Sequence, residues 1–254
     1  MTAPRGRLVL MPNGLDLGAD TEVPLSEVLP QTVLVRAAGL QHWVVENAKT
    51  ARAFLKRVDR MYPLIQPVQA LDIRELPRPR KGGPATEAIS LDPLLAPALA
   101  GHDIGLLSEA GLPAVADPGA ALVQAAHRMG LGVESLSGPS SLMMALAASG
   151  LNGQSFAFVG YLPVDASSRA ARIRELDQGS RRCAQTQIAI ETPYRNAALL
   201  AALIEHLHPT TELCVALGLT LPGAQIQARS VQAWRDKAVS LGDRTPAVFL
   251  WLAR

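Results

Sequence analysis

Short apolar runs alternate along this chain with longer segments whose apolar residues recur at helical spacing. In the first part of the sequence, the apolar runs predict strands and the helical spacing predicts the helices between them. Such alternation is typical of an α/β fold with a mostly parallel sheet. The predicted strands lie at 7–11, 32–36, 104–107 and 133–136, and the predicted helices at 45–58, 92–101, 118–129 and 142–149.

A turn-rich segment at 150–154 interrupts this alternation, which then restarts. We therefore predict two α/β domains, with boundaries at 1–152 and 153–254. The Pro-rich stretch at 74–86 predicts a long loop, of a size that is often functional or mobile. In the second domain, strands are predicted at 156–160, 185–191, 212–217, 224–230 and 247–253, and helices around 167–177, 194–207 and 231–238.

Acidic residues stand at two of the predicted helix starts. Asp117 and Pro118 suit an N-cap and a first helical position. We therefore expect Asp117 to cap a helix rather than to act in catalysis. Glu46 falls in the first turn of the predicted 45–58 helix, where a negative charge matches the helix dipole.

Four turns built from small residues follow predicted strands, at 11–18, 108–119, 137–141 and 191–195. Ligands of an open parallel sheet bind beyond the carboxyl ends of its strands, and small residues let the backbone approach them closely. Any one turn equally fits an ordinary connection, but the four together favour a ligand cleft. Neither GxxxxGK[ST] nor a GxGxxG after the first strand is present, which argues against nucleoside triphosphates and the usual dinucleotides. A small ligand of mixed charge, held largely by backbone, fits better.

The composition argues against several classes of protein and of site. A hydrophobic content of 48% with 18% charged residues argues against disorder and coiled coil, and a net charge of +2 does not indicate a strongly basic RNA-coating protein. Two isolated cysteines predict neither a disulfide framework nor a metal site, and we expect no metal. The apolar segments are too short for a secretory signal or a membrane span, so we expect a soluble cytoplasmic protein. The histidines are scattered and are expected at the surface: His42, His102, His127, His206 and His208.

Several motifs occur in an order that resembles one known family. "LLSEAGLPAVADPGAALV", "LSGPSS", "FVGYLP" and "IETPYR" are similar to motifs of the S-adenosylmethionine-dependent tetrapyrrole methylases, the class III methyltransferases. The nearest group is the ribosomal RNA small-subunit methyltransferase I group, which shows SDAGTPxxSDPG, PGPSA, FxGFLP and YESPHR. The resemblance runs from about Arg7 to the C-terminus.

The resemblance implies two α/β domains with S-adenosylmethionine in a cleft between them, and commonly a homodimer. The 108–119 turn would be a backbone cradle for the methionine part of this cofactor. By motif, the cofactor-binding residues would be Pro12, Asn13, Gly14, Gly111, Leu112, Ala114, Val115, Ser140, Ser141, Thr192, Pro193 and Leu219.

The chain also departs from the group's pattern. Leu112 replaces a threonine, Asn47 stands where the group has aspartate, and "MPNGLDLG" replaces PTPIGNL. These departures suggest a subgroup close to the ribosomal RNA enzymes, and they leave its substrate open.

Methyl transfer to a ribose hydroxyl needs a group that accepts the proton, and phosphate contacts would come from basic residues. Our first hypothesis is 2'-O-ribose methylation of ribosomal RNA. The alternatives are methylation of a small molecule such as a tetrapyrrole, and a non-catalytic cofactor-binding module. The candidate bases are Glu46, Glu109, Lys49 and Glu191. The candidate RNA contacts are Arg78, Arg80, Lys81, Tyr194 and Arg195. A second basic cluster fits RNA contacts and a solvated helix face equally well, and it comprises Arg169, Arg172, Arg174, Arg181 and Arg182.

Overall fold

The computed structural model describes residues 4–16, 22–77, 90–237 and 245–254. Two compact units divide the chain between Pro139 and Ser140. This division precedes the predicted boundary at 152–153, because the helix Ser141–Ser149 packs on the sheet of the second unit. Within the described ranges, no helix is both long and apolar enough to cross a membrane.

The first unit is built on a five-stranded sheet in the order β3-β2-β4-β1-β5, and all its strand pairs are parallel. The mostly parallel sheet predicted from the alternation is therefore confirmed. Its strands are Arg7–Met11 (β1), His42–Val45 (β2), Asp72–Glu75 (β3), Ile104–Leu107 (β4) and Gly132–Ser135 (β5), and its helices are Leu25–Val28 (α1), Gln31–Ala38 (α2), Ala48–Asp59 (α3), Ala96–Leu99 (α4) and Ala120–Arg128 (α5), with short 3-10 helices at Val68–Ala70 and Asp92–Leu95.

Both faces of this sheet are buried. Alternate residues of a strand point to opposite faces, so β1 contributes Val9 to one core and Leu8 to the other. Trp43 and helices α2 and α3 fill the first core, while Ile104 and helix α5 fill the second. Burial on both sides explains why β1 and β4 read as continuous apolar runs.

Two of the predictions for this unit are wrong. The segment 32–36 is not a strand, because it lies within α2, which buries Val33, Leu34 and Ala37 on one face. The true second strand is β2, and the edge strand β3 was not predicted. Since β2 extends to Val45, Glu46 precedes α3, and Asn47 caps that helix through its Oδ1.

Asp117 does not cap α5, which corrects a third prediction. Gly119 occupies the N-cap position with φ of 129°, and the helix begins at Ala120 without a side-chain cap. The left-handed turn at Gly119 shifts the helix start past Pro118, so the Asp117 carboxylate is available for other contacts.

The second unit contains a mixed five-stranded sheet in the order β6-β7-β10-β8-β9. Strands β6 and β7 are parallel, and the other pairs are antiparallel. All five strands predicted here are confirmed to within a residue at each end. The elements are Ser141–Ser149 (α6), Phe156–Gly160 (β6), Ala166–Cys183 (α7), Thr186–Glu191 (β7), Asn196–His206 (α8), Glu212–Leu217 (β8), Gln225–Ser230 (β9), Val231–Asp236 (α9) and Ala247–Leu252 (β10), with a 3-10 helix at Pro193–Arg195.

Candidate functional site

Asn13 joins the turn after β1 to the loop after β4. Its backbone N–H donates to Gly111 O at 2.9 Å, and Gly111 N–H donates to Gly14 O at 3.3 Å. Its buried side-chain amide donates to the carbonyls of Ser108 and Glu109 at 3.2 and 3.0 Å. Its Oδ1 accepts from Gly14 N–H at 2.8 Å. Two parallel strands thus end in one rigid pair of turns.

The 108–119 loop holds four residues in left-handed backbone conformations. Gly111 and Gly119 have φ of 66° and 129°, and Ala114 and Ala116 have φ of 65° and 64°. A left-handed residue with a side chain costs roughly 1–2 kcal/mol, and such residues concentrate at ligand sites. The N–H groups of Leu112, Ala114 and Ala116 donate no hydrogen bond to another described residue. They are therefore available to a ligand.

Ser108 adds an unsatisfied hydroxyl at the same strand end. The residue is 3% exposed, and its Oγ has no hydrogen-bond partner within the described ranges. Buried hydroxyls are generally satisfied in native structures, so an orphaned one at a strand end points to a missing partner.

Three carboxylates gather around the 108–119 loop. Glu46 Oε2 accepts from Glu109 N–H at 3.2 Å, and Thr50 Oγ1 donates to Glu109 Oε1 at 3.4 Å. Burial, and after it the negative charges of Glu46 and Glu109, together raise the pKa of Asp117 to about 6. We call Glu46, Glu109 and Asp117 the carboxylate cluster. No group of three or more potential ligands in the described ranges is arranged to hold a metal ion.

Asp117→Asn should change the pH dependence of stability. The pKa of Asp117 rises on folding from 3.8 to about 6, so its protonation favours the folded state, and this contribution is lost as pH rises through about 6. At pH 8 the asparagine variant should be more stable than the wild type by about 1–2 kcal/mol, because solvent partly screens this half-buried carboxylate, and the difference should vanish below about pH 4. Urea unfolding at a series of pH values measures it. A constant difference across that range would contradict the assignment.

The turn at 137–141 packs closely on the turn after β1. A Cβ added at Gly138 would overlap the Pro12 ring and lie 2.6 Å from its Cγ. Only glycine therefore allows these two turns to approach each other. The close approach fixes Pro12 beside Asn13.

Gly138→Ala should weaken binding of the cofactor that the motif resemblance implies. The added methyl group displaces Pro12, one of the expected contacts, and the affinity should fall about tenfold or more, which is about 1.4 kcal/mol. Calorimetry with S-adenosylmethionine measures the loss. Gly6→Ala is the matched control, because its Cβ would overlap His102 O next to the amino end of β1. Equal affinities of the two variants would show that the Pro12 turn does not contact the cofactor.

In the second unit, Ser140 and Ser141 begin a helix. Ser140 caps α6 through an Oγ that accepts from Met143 N–H at 3.5 Å, and Ser141 is the first helical residue. Leu219 is 9% exposed, between Gly218 and Thr220, both of which are left-handed. The Thr220 Oγ1 is buried without a partner among the described residues.

The motif at 191–195 is held by an ion pair. Glu191 is buried, and its Oε2 lies 2.9 Å from Arg195 Nη2. Its Oε1 accepts from the N–H and hydroxyl of Thr192 at 2.8 and 3.3 Å. Glu191 therefore fixes the turn that contains Pro193, and Arg195 is occupied by this pair. Tyr194 is 75% exposed.

The predicted site residues divide between the two units. Those of the first unit lie together at the ends of β1, β2 and β4: Pro12, Asn13, Gly14, Glu46, Glu109, Gly111, Leu112, Ala114 and Val115. Lys49 is exposed in the first turn of α3. Ser140, Ser141, Thr192, Pro193, Tyr194, Arg195 and Leu219 belong to the second unit, and Arg78, Arg80 and Lys81 lie outside the described residues.

Sequence reasoning missed three residues of interest. It took Asp117 for a cap, and it did not single out Ser108 or Thr220. A serine directly after a buried strand was the one available signal for Ser108. The unsatisfied hydroxyls and the raised pKa depend on packing that no short motif encodes.

Comparison with known proteins identifies the family. The family model described as Tetrapyrrole (Corrin/Porphyrin) Methylases matches residues 33–232. The chain therefore belongs to the tetrapyrrole methylase family, as the motifs suggested.

Curated relatives include proteins named ribosomal RNA small subunit methyltransferase I. The one from Vibrio cholerae is 36% identical over 129 residues, covering 51% of this chain and 43% of the relative. The one from Mesorhizobium japonicum is 34% identical over 143 residues, covering 56% and 47%. The aligned regions thus span about half the length of these relatives.

Solved structures show the same fold. The methyltransferase CobJ matches with a TM-score of 0.55 and 17% identity, over 98% of this chain and all of that chain (100%). The uroporphyrin-III-C-methyltransferase from Thermus thermophilus matches with a TM-score of 0.50 and 20% identity, over 98% and 94%. At these identities the likeness concerns the fold alone.

Proposed function

We propose that this protein is an S-adenosylmethionine-dependent methyltransferase that acts on small-subunit ribosomal RNA at a ribose 2'-oxygen. The 108–119 loop carries the proposal, because its left-handed backbone leaves three amides without a hydrogen-bond acceptor in the described part of the chain, beside the carboxylate cluster. The names of the curated relatives support RNA as the substrate. The solved structures support the fold only, so they do not favour a tetrapyrrole substrate.

The residues of the first unit suit the methionine part of the cofactor. Its carboxylate matches the N–H groups of Leu112, Ala114 and Ala116, and its ammonium and sulfonium charges match the carboxylates of Glu46 and Glu109. The Ser108 hydroxyl offers one further polar contact. When bound, this cofactor supplies an activated methyl group, and the protein contributes alignment and a proton acceptor.

The second unit contains the other residues that we propose for cofactor binding. Thr220, next to Leu219, offers a buried hydroxyl that has no partner among the described residues. The ion pair of Glu191 with Arg195 holds Thr192 and Pro193 in place. The proposed helix-terminal contacts are Ser140 and Ser141.

Asp117 is the proposed proton acceptor for the ribose hydroxyl. A base works best when its pKa lies near the operating pH, and that of Asp117 is raised to about 6. Glu46 and Glu109 contribute by raising it. The two other predicted bases are assigned no proton transfer, because Lys49 is exposed on α3 and the Glu191 carboxylate is engaged by Arg195 and Thr192.

Labelled methyl transfer tests this function. The protein is incubated with S-adenosylmethionine carrying a tritiated methyl group and with small ribosomal subunits that lack 2'-O-methyl groups. Label should enter the RNA, and alkaline hydrolysis should release it in a dinucleotide, since a 2'-O-methyl group blocks cleavage. Label in no RNA, despite cofactor binding, would contradict the RNA proposal; label in an added porphyrinoid would support the alternative substrate.

We also propose a homodimer in the cytoplasm. The family resemblance supports the dimer, and the ribosomal RNA enzymes among the relatives support the location. Sedimentation equilibrium and cell fractionation check these two points.

A further inference from the structure

A cavity of about 400 Å³ lies on the second unit where α7 meets the end of α8. Arg174, Gln178 and Arg181 line it from α7, and His206 and His208 line it from the α8 end. We call these five residues the α7–α8 basic cavity. None of them was placed in the cofactor site.

Local geometry brings these side chains together. Positions 174, 178 and 181 are spaced by four and three residues, so they share one face of α7. His206 is the last residue of α8, and Leu207 leaves the helix in an extended conformation. His208 therefore does not continue the helical rotation, and it faces the same cavity as His206.

The two arginines have no carboxylate partner within the described ranges. Elsewhere on α7, Arg172 pairs with Glu175 at 2.7 Å. The last carbonyl groups of α8 have no partner within the helix, and Arg235 donates hydrogen bonds to those of Ile204, Glu205 and Leu207. Arg174 and Arg181 are thus not needed to neutralise the negative end of the helix.

Asp177 also borders the cavity, but its carboxylate is engaged. Its Oδ1 accepts from Thr211 Oγ1 at 2.8 Å, its Oδ2 accepts from His208 N–H at 3.3 Å, and the residue is 8% exposed. Asp177 therefore holds the backbone of His208 in place through the hydrogen bond to its N–H. Because two arginines and one buried carboxylate line the cavity, its net charge is positive.

His208 lines the cavity, and one of its two ring nitrogens is already engaged as an acceptor. Its Nδ1 lies 3.3 Å from Thr210 N–H, which can only donate, so Nδ1 is the acceptor. The proton of the neutral ring then resides on Nε2. Together with the guanidinium groups and the Gln178 amide, this arrangement offers several donors around one positive concavity.

We propose that the α7–α8 basic cavity binds a phosphodiester group of the RNA substrate, an inference that rests on the proposed function. Guanidinium groups match phosphate oxygens through paired hydrogen bonds. Among the described residues, no tyrosine, tryptophan or phenylalanine lines the cavity, so it contacts the RNA backbone rather than stacking on a base. Binding there is independent of the local sequence and positions the second unit on the RNA.

RNA binding by the double variant Arg174→Ala/Arg181→Ala tests the proposal. Loss of the contact to one phosphodiester group should reduce the slope of log affinity against log salt by about 0.7, the contribution of each neutralised phosphate of single-stranded nucleic acid. We expect at least a tenfold loss of affinity for small-subunit RNA in about 50 mM salt. S-adenosylmethionine affinity should not change.

Arg5→Ala/Arg128→Ala is the matched control, because it removes the same charge from two arginines of the first unit, of which Arg5 donates to Met129 O and Arg128 pairs with Asp92. Equal RNA affinity and salt slope for the two double variants would overturn the cavity proposal, while methylation of RNA by the wild type would leave the proposed function intact. A wild type that binds cofactor but no RNA would instead refute the proposed function.

Inorganic phosphate provides a direct probe of the cavity. In proton–nitrogen spectra of the whole protein, the ring signals of His206 and His208 should shift as phosphate is added. The Arg174→Ala/Arg181→Ala variant should lose at least most of this shift. Unshifted wild-type signals, with a wild-type salt slope in the double variant, would exclude the phosphate site.

Discussion

Asp117→Asn should lower the rate of methyl transfer by about 10²–10⁴-fold, the usual contribution of a general base. Asparagine keeps the size of the side chain but cannot accept the ribose proton. Cofactor affinity should fall less than tenfold, because the amides of the 108–119 loop remain. Single-turnover transfer of a tritiated methyl group to small-subunit RNA measures the rate separately from binding.

The pH profile distinguishes a base from a structural residue. The wild-type rate should rise with pH up to about 6, as Asp117 loses its proton, and then level off. The asparagine variant should lack this rise. Glu75→Gln is the control, since Glu75 ends the neighbouring strand β3 and its Oε1 accepts from Ala48 N–H at 2.7 Å, a contact that glutamine retains. An unchanged rate in Asp117→Asn would remove Asp117 from catalysis.

Asn13→Asp should lower the free energy of unfolding by about 3–5 kcal/mol, the cost of an uncompensated buried charge. The substitution removes the two N–H donors to the carbonyls of Ser108 and Glu109 and sets a carboxylate oxygen against them. Asn13 is 7% exposed, so solvent cannot screen the repulsion. Cofactor affinity should fall as well, since the same bonds hold the two turns together.

Urea unfolding at pH 7.5 measures the loss, with Asn47→Asp as the control. The Asn47 Oδ1 accepts from Lys49 and Thr50 N–H at 2.9 and 3.4 Å, and an aspartate accepts in the same way. The control should stay within about 0.5 kcal/mol of the wild type, as substitutions that keep their contacts do. Similar losses in both variants would mean that Asn13 does not join the turns as described.

The parts of the fold that could be predicted from sequence are those with one dominant signal. Strands β1 and β4 are buried on both faces, so continuous apolar runs identify them. Helix α2 was mistaken for a strand because its Val33 and Val35 are β-branched, although its buried positions recur at helical spacing. Strand β3 was missed because it is a polar edge strand with only intermediate and exposed residues.

The sequence predicted where the candidate site lies, but it did not predict the backbone conformation or the electrostatics of the site. The glycines and the motif resemblance placed a turn at 108–119, but no sequence rule favours a left-handed alanine at Ala114 or Ala116. The raised pKa of Asp117 needs Glu46 and Glu109, which meet because β2 and β4 are neighbours in the sheet. His206 and His208 were expected only as scattered surface residues, whereas α8 ends at His206 and both histidines line the α7–α8 basic cavity.

Titration calorimetry of the whole protein with S-adenosylmethionine tests the cofactor assignment most directly. The free amides of the 108–119 loop and the carboxylate cluster predict one site per chain with a dissociation constant on the order of micromolar, as expected for a ligand recognised at cellular concentrations. S-adenosylhomocysteine should compete for the same site. Absence of binding at millimolar cofactor, with and without small-subunit RNA present, would contradict the assignment.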